Sequence, residues 1–280
     1  MSAANPPSKP NHSVEQGHLP NFSESSKLSP GPIALVTGAA VRVGRAIVES
    51  LSAANYRVWI HYHRSQTEAF GLKEELGPAA IGLIQADLSD PVQRQGLIEA
   101  VSDPSGPGQG SLSLLVNSAA TFESGSFLDR NDDDLRRVME INFFAPLALT
   151  RGLVSAMLSP RSSSPCVINI VDLGAIHPWP QYLDHCTSKA ALAMATRALA
   201  VELAPDIRVN AIAPGPVLWP DTNQFQVNST ARHRIIDKVP LGDCGHPKFV
   251  GDSVLFFARN AYITGQVLAV DGGRTANFDR

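Results

Sequence analysis

From Ile33 onward the chain alternates two kinds of apolar pattern. Short, nearly unbroken apolar runs occur at Ile33–Thr37, Arg57–Tyr62, Ile81–Ala86, Leu112–Val116, Cys166–Val171, Ile207–Ile212 and Val267–Val270. That is the form a strand takes when both of its faces are buried. Between these runs, helical spacing predicts helices over Val43–Asn55, Gln66–Leu76, Val92–Val101 and Pro247–Arg259. A long helix is expected from about Asp132 to Leu158, and another from near Tyr182 to about Leu203. The Gly/Pro-rich stretch Asp103–Gly110 and the stretch Ser159–Pro165 read as surface loops. Strands alternating with helices predict an α/β fold, a doubly wound parallel sheet of about seven strands flanked by helices.

Residues 1–32 break the pattern. They are rich in Pro, Ser, Asn and His and hold few large apolar residues, so little burial is available to offset the entropy of ordering them. A disordered arm is expected there, with residues 33–280 as the single domain. The arm's few basic residues and lack of an amphipathic pattern argue against a targeting segment.

Composition narrows the classes. The 280 residues carry 23 Lys+Arg against 26 Asp+Glu, a net charge of −3, which gives no electrostatic case for nucleic acid or an anionic membrane surface. No apolar run reaches the length of a membrane span. Three cysteines, Cys166, Cys186 and Cys244, cannot all pair and show no metal-ligand spacing, so no metal is expected and a reducing, cytoplasmic setting is the simplest reading.

The candidate chemistry sits at the carboxyl ends of the predicted strands, where open α/β sheets place their ligands. Thr37-Gly38-Ala39-Ala40-Val41-Arg42-Val43-Gly44 joins the first strand to the first helix. Gly38 permits a tight turn, Gly44 lets the helix pack close to the sheet, and the helix N-terminus offers free N–H groups to a pyrophosphate. The second strand ends in His63-Arg64-Ser65 where an NAD site wants a carboxylate for the ribose hydroxyl. A guanidinium fork beside a hydroxyl suits a 2′-phosphate, which points to NADP(H), with Arg42 able to reinforce the positive pocket. Asp87, followed by Leu88, reads equally as an acceptor for an adenine amino group or as a helix N-cap, although Ser89 and Asp90 are better placed for capping. Asn117-Ser118-Ala119-Ala120 ends the fourth strand in small residues that let a cofactor approach, and Asn142 is a lone amide in an apolar stretch. Asp172 lies just past the fifth strand. His185 and Lys189, at i and i+4, project from one face of the helix that follows, so an acid, an imidazole and an ammonium converge beside the cleft. Tyr182, one turn before His185, either shares that pocket or packs as a helix-start aromatic.

Together these residues resemble the short-chain dehydrogenase/reductase family from Ile33 to Gly273, with Pro214-Gly215 and Val270-Asp271-Gly272-Gly273 completing the match. The resemblance implies a single-domain Rossmann fold, a homotetramer or dimer, Lys189 on the nicotinamide ribose and Asn142 as a positioning amide. Within the family the text is most similar to the pteridine reductases and bacterial dihydromonapterin reductases. The signals are Arg42 where most relatives have glycine, His63-Arg64-Ser65, Asp172 where most have a catalytic serine, and Pro214–Pro220, which contains Trp219 and resembles a substrate loop. Phe122 falls where those relatives stack a pterin ring. The resemblance therefore implies NADPH-dependent reduction of a dihydropterin or dihydrofolate, a small-molecule partner, with Tyr182 lining the substrate site.

One position departs from the family. Its catalytic tyrosine stands four residues before the lysine, and here that residue is His185. An imidazolium can donate a proton near neutral pH, and the nitrogen of a C=N bond asks less of a donor than a ketone oxygen. Two alternatives are a carbonyl reductase on the same scaffold and an NADP(H)-binding sensor that has lost catalysis.

Overall fold

The structure, a computed structural model, describes residues 31–162, 164–219 and 229–277. Most of the expected arm and Pro220 of the expected substrate loop lie outside these residues. Seven strands form one sheet: β1 (Ile33–Val36), β2 (Arg57–Tyr62), β3 (Ala80–Gln85), β4 (Leu114–Asn117), β5 (Cys166–Ile170), β6 (Arg208–Pro214) and β7 (Val267–Val270). Their order is β3-β2-β1-β4-β5-β6-β7, and every pairing is parallel. The helices are α1 (Arg42–Ala53), α2 (Gln66–Leu76), α3 (Pro91–Ser102), α4 (Asp132–Met139), α5 (Ala145–Met157), α6 (Leu183–Glu202), α7 (Thr230–Ile236) and α8 (Pro247–Arg259).

Period-two alternation sends successive strand residues to opposite faces of the sheet. Ala34, Val36, Val58, Ile60, Leu114, Val116 and Ile168 pack with Ile47, Val48 and Leu51 of α1, Leu72 of α2 and Val254 and Phe257 of α8. Their neighbours Ile33, Leu35, Trp59, Leu115 and Val167 face the other way, onto Leu97 and Val101 of α3 and Leu149, Leu153 and Met157 of α5. Burying a side chain such as Leu35 stabilises the fold by roughly 1.5–3 kcal/mol, which is why both faces of the central strands are apolar. From β1 the chain moves outward to β2 and β3, then crosses to β4 on β1's other side. The crevice at that switch point opens at the strands' carboxyl ends.

Two elements differ from the sequence expectation. The helix expected over 132–158 is interrupted by a π-turn at Glu140–Phe144. Pro146 has no N–H to give the carbonyl four residues back, at Asn142, and the wider turn coincides with Asn142's side chain bonding to another segment. The strand expected from Leu112 begins at Leu114, because the Leu112 N–H turns to the Ala156 carbonyl (3.0 Å) and the Ser162 hydroxyl (3.1 Å). Helix α7 had no counterpart in the apolar pattern.

Candidate active site

The β1–α1 turn is built from backbone. Gly38 has φ +62°, and a Cβ there would stand 3.0 Å from the Ala119 Cα. At Gly44 a Cβ would come within 2.0 Å of the Gly38 carbonyl oxygen, so both positions require glycine for close approach. Helix α1 starts after Val41 with no side-chain cap from that residue and no acid in its first turn, and the residues that open it, Val41 to Gly44, line the cleft, where a helix N-terminus can offer its N–H groups to an anion. Arg42 takes φ +55°, a left-handed conformation that glycine adopts more easily, and its guanidinium donates to the Trp219 carbonyl at 3.3 Å.

His61 holds this turn from beneath, a role sequence reading missed. Its Nδ1 accepts from the Gly38 N–H (3.1 Å) and its Nε2 faces the Ala86 carbonyl (3.1 Å). Accepting at one nitrogen and donating at the other requires the neutral ring. Burial pushes its pKa down to about 4 despite the Ala86 contact. The visible signal was a polar residue at an inward position of an otherwise apolar strand.

At the end of β2, His63, Arg64 and Ser65 line the cleft. Asp87 lies 3.6 Å from the His63 ring and accepts from the Ser89 N–H (2.9 Å) and hydroxyl (2.7 Å). Burial raises the Asp87 pKa, but those bonds and the neighbouring positive charge outweigh it and hold the carboxyl below its ordinary range. The capping role belongs to Asp90, which accepts from Val92 and Gln93 at the start of α3.

The end of β4 is fixed from two sides. Thr37 Oγ1 accepts the Ser118 and Ala119 N–H groups, both at 3.0 Å, and Asn117 donates to Asn169 at 2.8 Å. Asn142 clamps Thr121 by both backbone groups, accepting its N–H (2.9 Å) and donating to its carbonyl (3.1 Å), while also donating to the Ser188 hydroxyl (3.0 Å).

That carbonyl in turn faces His185 Nδ1 at 3.2 Å, and His185 Nε2 pairs with Asp172 Oδ2. Each ring nitrogen thus faces an oxygen, one of a backbone carbonyl and one of a carboxylate. Asp172 Oδ1 accepts the Gly174 N–H at 2.8 Å. Burial raises the Asp172 pKa, but the His185 bond and charge, the Lys189 charge and the Gly174 N–H together hold it below the usual carboxylate value. Lys189 is buried and donates from Nζ to the Ile170 carbonyl at 2.8 Å. Burial lowers its pKa, with the Asp172 charge opposing. The three groups expected to converge do so.

Three aromatic rings enclose the pair. Phe122 stacks on Tyr182 with centroids 4.7 Å apart, and the His185 ring stands edge-on to Phe122, also at 4.7 Å. Trp179, which sequence reading passed over inside a Pro-rich loop, lies nearly parallel to His185 at 6.2 Å. Salt bridges tie the two segments that carry these rings. Glu123 pairs with Arg137 of α4 at 2.6 Å, Arg130 pairs with Asp184 of α6 at 2.7 Å, and the Gly125 N–H donates to the Gln181 carbonyl at 2.8 Å. Burial raises the Glu123 pKa less than the Arg137 bond lowers it, and the net value is about 2.

The resulting cleft has a volume of about 790 Å³ and receives nearly every residue expected of the site, including Pro214, Gly215 and Trp219 from the end of β6. Thr37, Asp87, Leu88, Asn117 and Asn142 stand outside its lining. Leu88 is buried in the core beneath β3, and Thr37, Asn117 and Asn142 hold the wall by the bonds above.

Comparison with known proteins adds four findings. Residues 38–275 match the family model described as enoyl-(acyl carrier protein) reductase. Pteridine reductase 1 of Leishmania tarentolae is 32% identical over 280 aligned positions, covering 86% of this chain and 96% of its own length. Galactitol 2-dehydrogenase (L-tagatose-forming) of Cereibacter sphaeroides is also 32% identical, over 88% of this chain and 95% of its own. The NADP complex of FolM, alternative dihydrofolate reductase 1, from Brucella suis superimposes with a TM-score of 0.76 at 34% identity, covering 89% of this chain and 97% of that one.

Proposed function

The chain belongs to the short-chain dehydrogenase/reductase family, and from that premise we propose that it is an NADPH-dependent reductase of a C=N bond in a pterin or folate ring. The observation that carries this reading is the Asp172–His185 pair inside the ring enclosure of Phe122, Tyr182 and Trp179, at the carboxyl end of β5. An ionised acid beside planar apolar faces suits a flat heterocycle with hydrogen-bond donors better than a flexible ketone.

The chain fits NADP(H) as its cofactor. The uncapped N–H groups of α1 suit a pyrophosphate, and Arg64 with Ser65 suits the 2′-phosphate at the position where an NAD site has an acid. Bound there, NADPH would supply the hydride. Lys189, its Nζ anchored on the Ile170 carbonyl, would hold the ribose hydroxyls. Phe122 would provide the stacking face for the substrate ring. Asp172 would orient the ring through its N–H groups, and His185, its Nε2 paired with Asp172, would supply the proton that the ring nitrogen must receive. Asn142 acts behind them, fixing the Thr121 carbonyl that sets the imidazole's orientation.

The same reading takes the enzyme as cytoplasmic and homotetrameric. Among the described residues no helix is long and apolar enough to cross a membrane. Met194 and Val201 of α6, with Phe144 before α5, are large exposed apolar groups of the kind a partner subunit covers. Light scattering that returns a monomer would refute the association.

The functional test is an NADPH-oxidation screen of purified protein against dihydropterins, dihydrofolate and simple ketones. Turnover of the ring compounds in preference to ketones is expected. Ketone turnover without ring turnover would overturn the proposal in favour of a carbonyl reductase. Cofactor binding with no turnover would point to a sensor.

A further inference from the structure

The cleft adjoins a second cavity of about 560 Å³, and Ile235 and Arg274 line both. Among the described residues its lining otherwise consists of Arg234, Asp237 and Lys238, so three described cations stand there against one carboxylate. Arg274 opens a short 3-10 turn, Arg274–Ala276, which Asp271 fixes by accepting the Gly273 N–H (2.9 Å) and the Thr275 N–H (2.7 Å). Both Asp271 oxygens are therefore engaged by backbone.

Arg274 is partly buried, and burial lowers its pKa, with Asp271 only partly opposing. Among the described residues its guanidinium has no hydrogen-bond or salt-bridge partner. Other partly or fully buried arginines are matched: Arg130 by Asp184, and Arg208 by the Phe257 and Ala258 carbonyls. A partly desolvated guanidinium without an acceptor is costly, and its best partner is a planar carboxylate or a phosphate.

We propose that Arg274, with Arg234 and Lys238 beyond it, forms a subsite for an anionic tail of the substrate whose ring occupies the cleft. The proposal rests on the reductase reading and narrows it. The preferred substrate carries an acidic side arm, either a carboxylate as in dihydrofolate or a phosphate ester as on a phosphorylated dihydropterin, and a neutral dihydropterin leaves the subsite unused.

The test compares wild type with Arg274→Gln by steady-state kinetics at saturating NADPH. The KM for dihydrofolate, divided by that for a neutral dihydropterin, is expected to rise about tenfold in the variant, the loss of one charge-assisted contact. Arg274→Lys, which keeps the charge and loses the planar fork, should fall between the two. If the shift appears with a phosphorylated dihydropterin and not with dihydrofolate, the subsite stands with phosphate as its anion. An equal rise for acidic and neutral substrates would overturn it. So would a matching loss of NADPH affinity, which would assign Arg274 to the cofactor's phosphates.

A second measurement separates this proposal from the reading beneath it. Calorimetry of p-aminobenzoylglutamate, a tail without the ring, on NADP-loaded protein should show binding that Arg274→Gln weakens. If no pterin or folate is reduced, the reductase reading falls and this binding alone decides the subsite. If the rings are reduced and neither tail binding nor the KM of the phosphorylated dihydropterin responds to Arg274→Gln, the subsite falls and the reading stands.

Discussion

The two halves of the cleft are built by different means. On the side proposed for the cofactor the groups lie in short stretches of chain and are largely backbone: the close approach at Gly38 and Gly44 and the uncapped start of α1, with the side chains of Arg64 and Ser65 at a strand end beside them. On the side proposed for the substrate they are side chains from separate segments, with Phe122 after β4, Asp172 after β5, His185 on α6 and Trp219 after β6. A backbone site follows from a few consecutive residues. A side-chain site depends on how distant segments are held together, here by Asn142, Glu123 and Arg130.

Substitutions can break this contrast, and the largest effect belongs to the substrate half. His185→Phe keeps the ring's bulk and removes both ring nitrogens, so kcat should fall by about 10²–10⁴-fold while NADPH affinity holds. Near-full kcat would remove His185 from proton transfer.

The next effect sharpens the cofactor half through pH. In the unfolded chain His61 takes up a proton near its ordinary pKa of 6.5, and in the folded protein only near 4. The unfolded state therefore binds more protons between those values. Stability from neutral His61 is present above pH 6.5 and is lost as pH falls towards 4, by roughly 3 kcal/mol at most. Urea unfolding from pH 7 to 4.5 should show a steeper loss for wild type than for His61→Gln. Parallel losses would mean that the ring is not held neutral.

Arg64→Glu should weaken NADPH binding by about 1.5–3 kcal/mol and NADH binding little, since only NADPH carries the 2′-phosphate. Titration of both cofactors decides it, and equal losses would sink the assignment. The smallest effect is expected at the tie between the halves. Glu123→Gln, which breaks a partly exposed pair with Arg137, should raise the ring substrate's KM by a few-fold at most and leave NADPH affinity alone. A change in NADPH affinity instead would show that the tie supports the whole cleft.

Much of this was legible along the chain. The seven strands, the phosphate turn and the strand-end Arg64 each depend on neighbours within a few residues, where periodicity and turn chemistry speak directly. The i, i+4 spacing of His185 and Lys189 placed them together because helix geometry is fixed. The π-turn at Asn142 was not legible, since it accompanies contacts that reach across 21 residues to Thr121. Trp179 against His185, Arg130 against Asp184 and Arg274 without a described partner were hidden for the same reason.

By itself the sequence determined the sheet, its two buried faces and the edge where the chemistry gathers, because burial of alternating apolar residues leaves few other arrangements. Only the tertiary structure decided that both His185 nitrogens are engaged, that His61 props the phosphate turn and that a cationic cavity continues the cleft. Those are contacts between loops and elements far apart in the chain. Their geometry is set by the packing of everything between them, which no local pattern records.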